Sequence, residues 1–433
     1  MSTAPRGPAT PASAPGSSAA ADGAGPAASR PESAAPADEV GRLLALRSEF
    51  PILQKTTYLV NHSLGAMPRA VFDRLREYAE MWATRGIRSW AEGWWTSPLD
   101  TGNLIAQILD APAGSVVMHQ NVSVIEGLIA SCLEFKAPRN RVVYTELNFP
   151  SVMYVWEAQR RRGAEIVTVP SADGIGVDTQ TFLDAIDERT LIVPLSHVLF
   201  QSAYIQDLDA IVKKAHAVGA LVLADCYQSA GTVPFSVRAL DLDMACGGSV
   251  KWLCGGPGAG YLYVKPELRA RLEPMLTGWM AHEHPFAFEK GAQKYAPDAT
   301  RLLHGSPAVP ALYAARAGYE LILRAGVDAI RAKSVAQTTR FLQRAAERGL
   351  SSRSPLDPAR RGGTVTINVP HAPAVVKALA EREILVDSRP DVGLRIAPHY
   401  YNTDDELDAC LDAVCEILRS GAWQKHAMQT AAY

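Results

Sequence analysis

Short apolar runs, each closed by polar or turn residues, alternate with amphipathic stretches over most of the chain. Unbroken apolar runs of four to eight residues are the pattern of parallel strands buried on both faces. They fall at Arg141–Tyr144, Glu165–Val169, Leu191–Leu195, Leu221–Ala224, Met244–Gly247 and Tyr261–Val264. Helical periodicity predicts helices at Arg69–Thr84, Val152–Arg162, Thr179–Ile186 and Leu208–Val218, and an apolar helix after the loop HQNVS within His119–Phe135. Strands and helices in alternation imply an α/β protein with a mostly parallel, doubly wound central sheet and helices on both faces. Past residue 300 the pattern changes. A long amphipathic helix, Val327–Glu347, stops at Gly349. A β-α-β run follows: Thr364–Val369, Ala374–Arg382, Ile384–Asp387 and Leu394–Pro398. The helix Asp404–Leu418, capped by Thr403, ends the pattern. This reads as a smaller α+β C-terminal domain.

The first 38 residues are almost entirely Ala, Pro, Ser and Gly. Such a stretch cannot bury enough apolar surface to offset its ordering entropy, and it has no apolar core of a secretory signal. The expected organisation is a disordered tail over 1–38, an N-terminal arm over 39–66 packing with the small domain, a large domain over 67–300 and a small domain over 301–433. A chain of 433 residues suits two packed domains. A net charge of −2 removes any electrostatic case for nucleic acid, and no apolar run is long enough to cross a bilayer. The six cysteines form no C-x-x-C pair and read as reduced thiols, which places the expected location in the cytoplasm.

Candidate chemistry concentrates between Leu221 and Val264. Asp225 closes one strand, and Lys251 follows a second strand, just before the glycine-rich turn Gly255–Gly260. A carboxylate and a lysine in neighbouring loops meet at the carboxyl edge of an open sheet, where α/β folds bind ligands. Pyridoxal phosphate needs both: a lysine for its Schiff base, and an anion that keeps its pyridine nitrogen protonated. Gln228 stands within reach of the ring's phenolate oxygen. The bland alternatives are a solvated lysine and a capping aspartate. Trp252 and Leu253 after Lys251, with Gly247 and Gly248 before it, weigh against free solvation. The helix start at Asn121–Ser123 offers free N–H groups that suit a phosphate, although Asn and Ser are also ordinary N-caps. RGIRSWAEGWW, Arg85–Trp95, reads equally as a pocket-lining loop or as core. His282, Glu283 and His284 fit no standard zinc spacing, so no metal is expected.

YLVNHSLGAMP, RGIRSW, the NFPS turn, LSHVLFQSAYIQDL, DCYQSAGTVP, VKWLCGGPG, GWMAH and LRIAPHYYNT occur in this order over roughly residues 50–420. With these motifs the chain resembles the class V pyridoxal-phosphate enzymes of fold type I, and among them kynureninase. The resemblance implies pyridoxal 5′-phosphate on Lys251, which also moves protons, and Asp225 against the pyridinium. It implies Phe149 on the ring face, Val122 and Ser123 at the phosphate, and Gln228 and Ser249 among the cofactor-binding residues. Trp279 would reach the phosphate from a second subunit, and Ser306 with Gly305 would lie at cofactor and substrate. Trp90 would pack near a substrate aryl ring, and Arg395 would grip the substrate carboxylate with its two-point fork. A homodimer with shared active sites and an amino-acid substrate follow from the same resemblance.

Three positions depart from kynureninase. Val250 replaces a tyrosine, Val152 an aspartate and Gln228 a histidine. The expected reaction is hydrolytic cleavage of a Cβ–Cγ bond, with transamination, epimerisation or β-elimination as the alternative. A desulfurase would need a nucleophilic cysteine before the C-terminal strand, and residues 350–395 contain none.

Overall fold

A computed structural model describes residues 37–427. The strands are β1 (Thr57–Tyr58), β2 (Val116–His119), β3 (Arg141–Thr145), β4 (Glu165–Val169), β5 (Thr190–Ser196), β6 (Leu221–Asp225), β7 (Met244–Gly248) and β8 (Gly260–Val264). In the C-terminal part they are β9 (Val365–Ile367), β10 (Ile384–Leu385), β11 (Asp387–Arg389) and β12 (Gly393–Ile396). The helices are α1 (Ala37–Ala45), α2 (Val71–Arg85), α3 (Ser97–Ile108), α4 (Val122–Ser131), α5 (Pro150–Glu157), α6 (Thr179–Asp184) and α7 (Leu208–Ala217). After them come α8 (Pro266–Arg269), α9 (Val309–Ala325), α10 (Val327–Glu347), α11 (Ala372–Ala380) and α12 (Asp404–Ser420).

Seven strands form the central sheet in the order β2-β8-β7-β6-β5-β3-β4. The pairs from β4 through β7 are parallel, and β8 runs antiparallel to both its neighbours. Successive residues of a strand face opposite sides. Val222 and Ala224 of β6 therefore enter one hydrophobic core, while Leu223 enters the core on the other face. From β3 the chain steps out to β4 and then crosses back to β5 on the far side of β3. That reversal opens a crevice at the carboxyl ends of β3 and β5, where open α/β sheets receive ligands.

A three-stranded antiparallel sheet, β11-β12-β9, carries a third core with α11 and α12. The N-terminal arm ties into it. β1 pairs in parallel with β10, the Leu59 N–H donates to the Leu385 carbonyl at 2.9 Å, and the Leu59 side chain is buried in the third core. Phe50 packs on Tyr401 with ring centres 4.3 Å apart. The described residues, 37–427, form one compact unit. The expected boundary at 301 precedes α9, yet Leu312, Ala315, Tyr319 and Ile322 of that helix are buried in the large core. The third core takes its first residue of α10 at Phe341. The tail expectation falls almost wholly on residues 1–36, outside the described residues; Ala37 and Asp38 already belong to α1.

Candidate active site

Loops at the carboxyl ends of the parallel strands enclose a cavity of about 210 Å³. Phe149 follows β3, Ser196 ends β5, Asp225 ends β6 and Lys251 lies three residues past β7; all four line it. Val122 and Ser123, at the first turn of α4, close another side. There the Asn121 side chain caps the helix by accepting the Val124 N–H at 3.0 Å, and the preceding N–H groups lack intrahelical partners. The remaining wall is mainly apolar: Val152, Val198, Phe200 and the ring of Tyr227. Phe149 and Phe200 meet edge to face at 5.2 Å.

Asp225 is buried, and its carboxylate accepts the Tyr227 N–H at 2.9 Å. Burial pushes its pKa up to about 6, against the pull of that N–H and of Lys251. Burial likewise brings Lys251 down to about 8, despite the attraction of Asp225. Desolvation thus outweighs the mutual attraction for both groups. The lysine Nζ stands over two aromatic faces, 4.4 Å from the Tyr227 ring centre and 5.5 Å from that of Phe149.

Gln228 lines the cavity with most of its amide engaged. Its Nε2 donates to the His62 carbonyl at 3.1 Å, and its Oε1 accepts the Trp252 indole N–H at 2.9 Å. One amide hydrogen remains for a ligand. Arg395 is only 2% exposed and borders the cavity through Phe200, whose carbonyl accepts its Nη1 at 2.7 Å. Its Nε and Nη2 go to Asp387 at 2.8 and 2.6 Å.

The other expected residues lie elsewhere in the single chain. Ser249 is buried behind the lysine turn, where its hydroxyl bonds the Ala259 carbonyl at 2.5 Å and the Tyr319 hydroxyl. It does not line the cavity, because Tyr319 of α9 packs over it. Trp90 belongs to a separate aromatic cluster with Trp94, Tyr78 and Tyr313, whose apolar faces bury one another between α2 and α9. Trp279 packs with Trp95 and Phe288 and is 38% exposed. Gly305 and Ser306 are exposed on a loop outside the cavity. Sequence reasoning did not single out Phe200, Tyr227, Asp387 or His62. Phe200, His62 and Tyr227 stand inside the motifs LSHVLFQSAYIQDL, YLVNHSLGAMP and DCYQSAGTVP, and Asp387 closes an expected strand.

A family model, Aminotransferase class-V, matches residues 57–409. An uncharacterized aminotransferase of Bacillus subtilis (strain 168), YcbU, is 32% identical over 85% of this chain and 96% of its own length. The kynureninase of Pseudomonas fluorescens is 30% identical over 90% of this chain and 96% of its own. The chain belongs to the aminotransferase class-V family. The fold agrees: the apo structure of a cysteine desulfurase from Thermococcus onnurineus NA1 superposes with a TM-score of 0.78 at 21% identity, over 87% of this class-V chain and 98% of that one. The cystine C-S lyase C-DES gives 0.75 at 20% identity, over 85% and 99%. This is fold type I, and the cofactor of the class-V enzyme is pyridoxal 5′-phosphate.

The donor set of this class-V site fits that cofactor. An amine, a carboxylate with one backbone hydrogen bond, an aromatic face and free helix N–H groups converge on one cavity. All six cysteines are free. Among the described residues no helix is long and apolar enough to cross a membrane.

Proposed function

We propose that this class-V enzyme hydrolyses the Cβ–Cγ bond of an aryl γ-keto amino acid, L-kynurenine or a close relative, releasing L-alanine and an anthranilate-type acid. The observation that carries the reading is the cavity itself, in which Lys251 and Asp225 face walls built from Phe149, Val152, Val198 and Phe200. A flat, apolar side chain suits those walls. Similarity to kynureninases over nine-tenths of the chain supports the same reaction.

Lys251 holds the cofactor and Asp225 balances the charge on its ring nitrogen. Phe149 covers the ring face, and the N–H groups of Val122 and Ser123 receive the phosphate. The bound cofactor supplies an electron sink for the substrate's Cα. The freed amine of Lys251 takes the Cα proton and later returns it. Arg395 has five N–H donors, of which Asp387 and Phe200 occupy three. One hydrogen on each Nη remains, and this pair binds the substrate carboxylate. The apolar wall limits water to the molecule that adds to the side-chain carbonyl.

Trp279, Gly305 and Ser306 complete the site from a second subunit in a two-fold dimer. The exposure of Phe286 (61%) and Phe288 (70%) beside Trp279 supports an interface there. The Bacillus subtilis relative favours a second reading, transamination of an amino acid. One assay separates them: alanine, anthranilate, sulfide and keto acid measured in parallel with kynurenine and with simple amino acids. Alanine and anthranilate in equal amounts support hydrolysis, whereas keto acid with a new amino acid supports transfer. Borohydride must fix the cofactor on Lys251; a label on another lysine ends the reading.

A further inference from the structure

We propose that the aromatic ring of Tyr227 is the seat of the Lys251 amine when that amine is free of the cofactor, and that it favours the ammonium form once the amine has taken a proton. The proposal rests on Lys251 being the working lysine.

Two independent observations carry it. The Nζ of Lys251 lies 4.4 Å from the centre of the Tyr227 ring, inside the range where a cation is drawn to an aromatic face. Phe149, at 5.5 Å, is the more distant partner. The second observation concerns β7. A Cβ built on Gly248 would meet Cζ and Oη of Tyr227 at 2.4 Å and Cε2 at 2.7 Å, and these are its three nearest atoms. Gly248 therefore clears the space in which the outer half of the ring lies. Its φ is not positive, so the missing side chain answers a need for room rather than for an unusual backbone. The ring is further fixed at its base, where the Tyr227 N–H bonds Asp225.

The chemistry follows from the balance at Nζ. A lysine that removes a Cα proton must become an ammonium inside an enclosed cavity. Burial disfavours that form, as do Arg395 and Arg389 nearby, while Asp225 and Asp387 favour it. His62, also close, is buried and neutral at working pH, its pKa lowered to about 4. The Tyr227 face adds attraction for the ammonium without adding a further carboxylate to the site. The phenol itself does not ionise: burial and Asp225 push its pKa up to about 12. It is the ring face that acts, so phenylalanine should replace tyrosine while an aliphatic residue should not.

The test needs no turnover. Competitive acetylation of the full-length chain, freed of bound cofactor, gives the amine pKa at Lys251 by mass spectrometry of its peptide. Tyr227→Leu should lower that pKa by roughly 0.4–1.5 pH units, the range of a cation–π contact converted to a proton affinity. Gly248→Ala should lower it as well, because the three atoms nearest the new methyl all belong to the Tyr227 ring and its hydroxyl, which must move. Tyr227→Phe should titrate with the wild type. Arg395, Arg389, Asp225, Asp387 and His62 are unchanged in all three, so their effects cancel. Equal values in wild type and Tyr227→Leu would overturn the proposal. A Tyr227→Phe value that follows Tyr227→Leu would also overturn it, since the hydroxyl would then be the active part. The product assay and the borohydride label test the proposed function separately, so either reading can fail alone.

Discussion

Arg395 and Asp387 stand directly opposite each other on the antiparallel strands β12 and β11 and form a two-point ion pair. Nε donates to Oδ1 at 2.8 Å and Nη2 to Oδ2 at 2.6 Å. Asp387 also accepts the His62 ring N–H at 2.8 Å and the Ser63 hydroxyl at 2.9 Å. A carboxylate only accepts, so the His62 proton sits on Nε2. The full two-point fork expected for a substrate carboxylate is thus already taken by a resident one. In the proposed function the substrate would meet the outer pair of Nη hydrogens, held in place by Asp387 on one side and the Phe200 carbonyl on the other.

Substituting Asp387 should therefore act on stability and on substrate binding together. Asp387→Asn leaves the buried guanidinium without its counter-charge, a loss of about 3 kcal/mol. Burial would raise the pKa of Asp387, but hydrogen bonds and charge from His62 and Arg395 hold it far below the ordinary carboxylate range. The stabilisation is therefore complete above the unfolded-state value near 4 and is lost as pH falls toward the depressed one. Urea midpoints of wild type and Asp387→Asn should converge as the pH is lowered below about 3. A constant difference down to pH 2 would show that the carboxylate charge is not what stabilises.

Arg395→Lys should raise KM for the amino-acid substrate by about 10- to 150-fold, the loss of a charge-assisted hydrogen bond of about 1.5–3 kcal/mol. Cofactor binding, read from the visible band, should change little. A lysine can neither span both oxygens of Asp387 nor keep the Phe200 bond. An unchanged KM for every accepted amino acid would remove Arg395 from the site.

The sheet was legible because its strands are unbroken apolar runs. β4 matches its expected span, and β6 through β8 fall within one residue of theirs. The helix Val327–Glu347 was read to the residue, between Gly326 and Gly349. Elements whose composition argues against them were missed. α9 carries Pro310 near its start and Gly318 in its middle. Gly318 is needed because a Cβ there would lie 2.2 Å from the Leu253 carbonyl oxygen, and that tertiary demand outweighs helix propensity. α3 opens on Ser-Pro and holds Gly102, which hides it equally. The expected strand Ile384–Asp387 is two: β10 pairs with β1, and β11 with β12. Of the cavity, apolar patterning and spacing brought out Asp225 and Lys251, whereas Phe149 came from the motif resemblance; all three line the cavity. The Asp387–Arg395 pairing was not legible, since it depends on a register between strands that apolar patterning does not specify.

The pH dependence of turnover should follow Lys251. Its amine acts as base only when unprotonated, and its pKa is lowered by burial to about 8. The rate should rise as pH increases through that value and level off above it, so long as proton removal limits. A rate that stays flat from pH 6 to pH 9 would mean that another group takes the proton or that another step limits. A substrate deuterated at Cα tells these two apart: a primary isotope effect means that proton removal by another group limits, and its absence means that another step does.

Dimer formation should depend on the ring cluster around Trp279. Phe288→Asp adds a charge to an apolar face and should shift light scattering toward the monomer, with activity falling in parallel. Recovery of activity at high protein concentration would tie the two together. A stable monomer of full activity would contradict a site shared between subunits.

Substrate choice turns on Val152 and Val250. Val152 is buried and lines the cavity, so the wall carries an apolar side chain where kynureninase has a carboxylate. Val250 directs its carbonyl to the Gly65 N–H at 2.7 Å, and its side chain does not line the cavity. Neither residue supplies a proton while the side-chain carbonyl is hydrated. Kynurenine should therefore be cleaved slowly, and a γ-keto amino acid whose carbonyl hydrates more readily should be preferred. Val250→Tyr should raise anthranilate release by up to about 10²–10⁴-fold if the missing acid is the limit. The measurement is anthranilate fluorescence for wild type and variant at equal cofactor content. If the wild type already turns over kynurenine at several per second, near the ordinary range of enzymes, the argument from Val250 fails. If neither protein releases anthranilate while keto acid accumulates, the hydrolytic reading gives way to transamination.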